Sequence, residues 1–200
     1  MVDKLIHSLV ELMLKEHLID KGKQDDYVYA LTCMTESIVT IGVILIISCF
    51  FDNIIPTISF LFFFFALRKR SGGYHARTFA GCFVGSICAY IAVVALCLIP
   101  SFSKWLQWIL LFASGMLILI LGAVNHPNMN MNQDEFKSTK NSTRLIAILE
   151  TGIILFLAWL EGNNMVISYM SAAVILCGIL LGLAKILRQE VTIYEKADNP

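Results

Sequence analysis

A histidine and a cysteine seven residues apart, His75 and Cys82, stand in the stretch Arg68-Lys69-Arg70-Ser71-Gly72-Gly73-Tyr74-His75-Ala76-Arg77-Thr78-Phe79-Ala80-Gly81-Cys82, between two runs of membrane-grade hydrophobicity. Imidazole and thiol are a base and a nucleophile suited to covalent acyl transfer, and to share a proton they must come within about 3 Å. On one continuous helix they would share a face but lie about 10 Å apart along the axis, at about 1.5 Å per residue. A working pair therefore requires the backbone between them to turn. Gly72, Gly73 and Gly81 permit it, because glycine adopts backbone angles closed to other residues. Cys82 opens the next apolar run, so the positive end of a helix starting there, with Arg77 and a protonated His75, would favour thiolate over thiol. The same residues have a plainer reading: cations after a span anchor topology, a histidine there is a polar interface residue, and glycines break helices. Two ligands fall short of the four that a closed zinc site needs, and no CxxC or HxxxH spacing adds to them, so neither a metal nor another cofactor is expected.

The elements that must position this pair follow from composition. Of 200 residues, 58% are hydrophobic and 15% charged, with a mean hydropathy of +0.74. That is more apolar side chain than a soluble domain of this size buries. The expected fold is all-α: a single polytopic membrane domain over residues 1–200, with about six transmembrane helices and an N-terminal amphipathic helix. Apolar windows fall at about 33–51, 54–67, 82–99, 105–124, 145–160 and 165–187. The first two are short against the roughly 20 residues of a span, and the second contains Pro56, which points to tilted or kinked helices forming a hairpin around Asp52-Asn53. Trp105 and Trp108 mark one interface of the fourth window.

Placing the N-terminus in the cytoplasm leaves only Lys104, of 15 Lys and Arg, outside. So lopsided a division supports six crossings with both termini inside. Residues 1–22 carry Val2, Leu5, Ile6, Leu9, Leu12, Met13 and Leu18 at helical spacing, and form an interfacial amphipathic helix rather than a signal peptide. The hinge occupies 68–82, and a cytoplasmic loop 125–144. Cys33, Cys49, Cys88, Cys97 and Cys177 have no paired spacing and read as small buried hydrophobes. The net charge is zero, and no nucleic-acid partner is expected.

The run from Arg68 to Cys82, with its basic residues, Gly73 two positions before His75 and Cys82 seven after it, resembles the accessory gene regulator B (AgrB) family of bacterial membrane cysteine endopeptidases. The resemblance extends over nearly the whole chain, including Val124-Asn125-His126-Pro127-Asn128, which is similar to the family's Asp/Asn-His-Pro-Asn stretch. It implies that His75 and Cys82 are the catalytic pair and that Arg68 and Gly73 are motif positions. It also implies a bacterial cell-membrane protein that removes the acidic tail of an AgrD-like precursor peptide through a Cys82 acyl-enzyme. A Cys or Ser of the same peptide would then close a thiolactone or lactone signal for quorum sensing. Arg68, Lys69, Arg70 and Arg77 fit the acidic tail, with Gly72 and Gly73 shaping the loop. Backbone N–H groups near Cys82 are the default oxyanion donors, and Asn125, Asn128 or Ser71 could orient His75. Membrane lipid is a partner in any case, and a second copy of the chain, giving a homodimer, is a further candidate. The loop after Pro127 is richer in Met and Asn than the family's. The competing reading is a membrane peptide exporter without proteolytic chemistry, which should show intramembrane charge along a path, whereas the sequence offers only Glu36 near a span end with Glu150 and Glu161 elsewhere, Glu150 being the one buried-charge candidate.

Overall fold

The computed structural model describes residues 2–74, 78–98, 104–125, 132–160, 162 and 164–187. They form helices α1 (Val2–Lys15), α2 (Gln24–Phe50), α3 (Ile54–Ser71), α4 (Phe79–Leu98), α5 (Lys104–Leu121), α6 (Gln133–Trp159) and α7 (Asn164–Ile186), with a 3-10 turn at Lys21–Lys23 before α2. No strand occurs among the described residues. The chain forms two compact units, Met1–Val43 and Ile44–Pro200.

In the first unit α1 is amphipathic as the spacing predicts. Ile6 and Val10 are buried while Leu5, Leu9 and Leu12 are exposed, so its apolar arc has a covered edge and an open one. His17, at φ 55, stops the chain from continuing as helix. Glu36 on α2 is buried with its Oε1 unpartnered.

The second unit is a bundle centred on α7, which packs chiefly against α3 and α5 and less extensively against α6 and α4. Close approach of α7 to α5 depends on absent side chains. A Cβ on Gly178 would lie 2.8 Å from the Ser114 Cβ, and one on Gly182 would lie 3.3 Å from Leu117. Small residues one turn apart let helix backbones meet where lipid supplies no hydrophobic drive. The expected break at Asp52-Asn53 is present: α2 ends at Phe50, Asp52 takes a φ of 53, and α3 begins at Ile54. Pro56 sits in the first turn of α3, where a missing N–H breaks no helical bond.

Five helices are long and apolar enough to cross a membrane, running over Ala30–Phe50, Ala80–Leu98, Lys104–Leu121, Gln133–Trp159 and Asn164–Ile186. The chain is a multi-pass membrane protein. Helix α3 is not among the five, because its closing Arg68-Lys69-Arg70 leaves an apolar stretch of about 21 Å against a hydrocarbon core of about 30 Å. Its direction nevertheless matches that of a sixth crossing. Val124 N–H donates to Ser71 O at 3.0 Å, joining the C-terminal ends of α5 and α3, and Tyr74 N–H donates to Leu180 O in the second half of α7 at 3.0 Å. Arg144 Nε donates to Leu119 O at 2.8 Å, which brings the first half of α6 to the same end. Helices α3, α5 and α7 thus run in one direction and α6 in the other.

One boundary differs from expectation. Residues 133–144, read as part of a polar loop, are the first three turns of α6. The Asn132 side chain accepts from Glu135 N–H, and the Glu135 carboxylate accepts from Asn132 N–H, a reciprocal cap that fixes the helix start.

Candidate functional site

At the end of α3, Gly72 takes a φ of 65 and Gly73 a φ of 117, both in the region that favours glycine. Space is also closed to larger residues: a Cβ at Gly72 would lie 3.0 Å from Val124 O, and one at Gly73 would collide with Arg68 Nη1. The loop these residues begin is tied on three sides. Ser71 O accepts from Val124, Tyr74 N–H reaches Leu180 O, and the Arg68 guanidinium turns back to donate to the carbonyls of Gly72 and Tyr74. Arg68, expected to face substrate, is half-buried and bonded to its own loop, whereas Lys69 and Arg70 are exposed. All three cations also lie in the last turn of α3, where they offset its negative end.

His75 and Arg77 lie outside the described residues, as does Asn128. The chain is described again at Thr78, which leads into α4. Its Oγ1 accepts from Gly81 N–H at 3.1 Å and its carbonyl accepts from Cys82 N–H at 3.1 Å. These are the bonds of a helix N-cap. Cys82 is therefore the fourth residue of α4, half-buried in its first turn, at the positive end of the helix dipole. Thr78 is not helical, so α4 does not continue back past Phe79 towards position 75. All six cysteines are thiols, none in a disulfide.

Of the residues considered for orienting the imidazole, Ser71 and Asn125 are each 1% exposed, on the two strands of chain that the Val124–Ser71 bond holds together. Lys140, which sequence reasoning assigned only to topology, stands beside Gly122, where a Cβ would run into its side chain, and lies over the Phe136 ring at 5.8 Å. Its place beside the loop follows from the long α6, which the polar-loop reading missed. No group of three His, Cys, Asp or Glu gathers for a metal among the described residues.

A cavity of about 390 Å³ lies at the opposite end of the bundle. Val93 and Cys97 of α4, Lys104 and Gln107 of α5, and Ser168 of α7 are among its lining residues. Val93 is eleven residues beyond Cys82 on α4, or about 16 Å along the axis, so this space is separate from the loop.

A family model described as Accessory gene regulator B matches residues 6–185 of the chain. No curated protein and no solved structure matches it.

Proposed function

The chain belongs to the accessory gene regulator B family, which processes autoinducer precursor peptides in quorum sensing, and from that premise we propose that it is a membrane cysteine endopeptidase acting through His75 and Cys82. The observation that carries the reading is the broken connection between α3 and α4. Two glycines in left-handed conformation lead the chain out of one helix, and Cys82 begins the next within a capped first turn. This geometry meets the requirement that base and nucleophile not ride on one rod.

In this mechanism His75 takes the Cys82 proton, and the thiolate attacks the carbonyl preceding the acidic tail of an AgrD-like peptide. Collapse of the tetrahedral intermediate breaks the C–N bond, and the imidazolium returns its proton to the departing amine. A thioester remains on Cys82. A Cys or Ser of the same peptide then attacks it, closing a thiolactone or lactone and freeing the thiol, because an intramolecular nucleophile has a large effective concentration while the membrane boundary limits water. In the first turn of α4, the Cys82 and Gly81 N–H groups are committed to Thr78. This turns the search for oxyanion donors to Phe79 and Ala80.

Lys69, Arg70 and Arg77 bind the tail, while Arg68 acts chiefly by holding the loop. The loop faces the cytoplasm together with both termini. Arg68, Lys69, Arg70, Lys140 and Arg144 all belong to the end of the bundle where α3, α5 and α7 finish, while Lys104 starts α5 at the other.

The test is cleavage of a synthetic precursor peptide by the full-length protein in liposomes. Wild type should release the tail and accumulate a Cys82-linked acyl adduct visible by mass spectrometry, whereas Cys82→Ala and His75→Ala should each lower cleavage by at least about 10³-fold. Normal cleavage by either variant would overturn the mechanism.

A further inference from the structure

The cavity at the end of the bundle where α5 and α7 begin is a slot set along α7. Asn164, Ser168, Ala172, Ile175, Leu176 and Ile179 follow one another on one face of that helix, from its first residue to about 22 Å along its axis. The end of α4 walls one side and the start of α5 the other. Leu96, Leu110 and Ile179 on its rim are exposed, so the slot opens sideways to the surrounding lipid. A bilayer of about 40–45 Å with its headgroups allots about 20–22 Å to each leaflet, so the slot is as deep as one leaflet. Trp105 at the start of α5 and Trp159 at the end of α6 are both exposed and mark this end as the headgroup level.

The polarity of the slot changes with depth. Its charged and polar side chains are Lys104, Gln107, Asn164 and Ser168, all within about 6 Å of the helix starts. Below them the α7 wall is aliphatic. Ser168 Oγ donates to Gln107 Oε1 at 3.2 Å, which leaves the Gln107 amide N–H groups as donors one turn from the Lys104 ammonium. None of the described lining residues is acidic, and the buried carboxylates of Glu36 and Glu150 lie elsewhere. A cation and amide donors at headgroup level above an aliphatic trough are complementary to a molecule with an anionic head and a hydrocarbon tail. The volume, about 390 Å³, is that of a small-molecule site.

We propose that this slot binds an anionic phospholipid of the adjoining leaflet, with the phosphate held by Lys104, Gln107 and Asn164 and an acyl chain lying along α7. The phosphate takes a charge-assisted bond from Lys104 where the membrane changes from polar to apolar, and the chain covers aliphatic side chains that no helix covers. The occupant also completes the packing of α4 on α7, which is less extensive than that of α3 or α5. Only the assignment to the outer leaflet rests on the topology proposed above; the site itself does not.

Native mass spectrometry of the full-length protein, released from micelles holding equal amounts of phosphatidylglycerol and phosphatidylcholine, tests the site. Wild type should retain one phosphatidylglycerol per chain in preference to phosphatidylcholine by about fivefold, and Lys104→Gln should abolish that preference, the ordinary effect of one cation near a charged headgroup. Ala172→Phe, which fills the aliphatic part of the slot, should lower retention of both lipids. Lys137→Gln makes the same charge change on an exposed turn of α6 at the other end and should match wild type. Equal retention of the two lipids by wild type would overturn the proposal. So would equal losses in Lys104→Gln and Lys137→Gln, the result of a general attraction for anionic lipid, or undiminished retention by a folded Ala172→Phe. Should Ala172→Phe not fold, the two exposed lysine variants still decide. An added precursor peptide retained where no lipid is, and lost in Ala172→Phe, would make the slot a peptide site and overturn the proposal as well. No readout here uses cleavage, so the lipid site and the protease reading fail separately.

Discussion

The chain that leads into the site and the helix that leaves it are held to the bundle by different means. On the incoming side, α3 packs against α7 and α6, Ser71 and Tyr74 are bonded to Val124 and Leu180, and Arg68 closes the turn from within. On the outgoing side, 17% of the α4 span is buried, against 50% for α7. It is tied to α3 at Tyr90, 1% exposed, whose hydroxyl lies 2.6 Å from Thr57 Oγ1 and whose ring stands 6.0 Å from that of Phe60. Tyr90 is eight residues past Cys82, about 12 Å along the axis. The glycine turn that precedes position 75 is therefore fixed by the core, while the Cys82 sulfur sits at the far end of a helix gripped near its middle. In the mechanism proposed above, a fixed support beside a less buried helix would suit a peptide that is cut and then closed on itself, because the acyl group has to be presented to two different attackers.

The contrast breaks first if the loop tolerates bulk. Gly73→Ala drives a methyl group into Arg68 Nη1 at a φ of 117, and cleavage should fall by about 10²-fold with helix content unchanged by circular dichroism. Activity within threefold of wild type would show that the loop is no fixed support. A stability comparison tests the two helices directly. Gly178→Val, whose Cβ would lie 2.8 Å from the Ser114 Cβ, should lose about 2 kcal/mol by denaturation in detergent. Gly85→Ala on α4, with nothing within 4 Å, should stay within about 0.5 kcal/mol. Tyr90→Phe removes the Thr57 contact and should lose about 1 kcal/mol. If α4 hangs on this residue, kcat should drop while KM holds. The smallest effect belongs to the exposed cations. Lys69→Gln with Arg70→Gln should raise KM about threefold at low ionic strength, and the difference should fade as added salt screens the tail.

The bundle was largely legible because membrane helices announce themselves by composition, and the apolar windows lie within α2, α3, α4, α5, α6 and α7 or overrun them by one to three residues. The loop was legible too, since Gly72-Gly73 after a basic run marks a helix stop that a left-handed pair then realises. What escaped has physical causes. The first three turns of α6 are polar, so hydropathy discounted them although the Asn132–Glu135 cap was present in the sequence. Arg68 was matched to a carboxylate because its guanidinium suits one, and the carbonyls of its own loop are acceptors that exist only once the chain has turned. The packing of α7 against α5 uses Gly178 and Gly182, whose spacing was visible but whose partner helix was not.

The bond from Tyr74 N–H to Leu180 O has one further consequence. Leu180 belongs to the interior of a membrane helix, so its carbonyl has a height and a bearing set by every residue between it and the Gly178 crossing. One residue inserted there would lift that carbonyl by about 1.5 Å and swing it by about 100°. The glycine turn is thus gauged against the winding of the protein's central pillar, and insertions that the connecting segments would absorb should be forbidden along this short stretch.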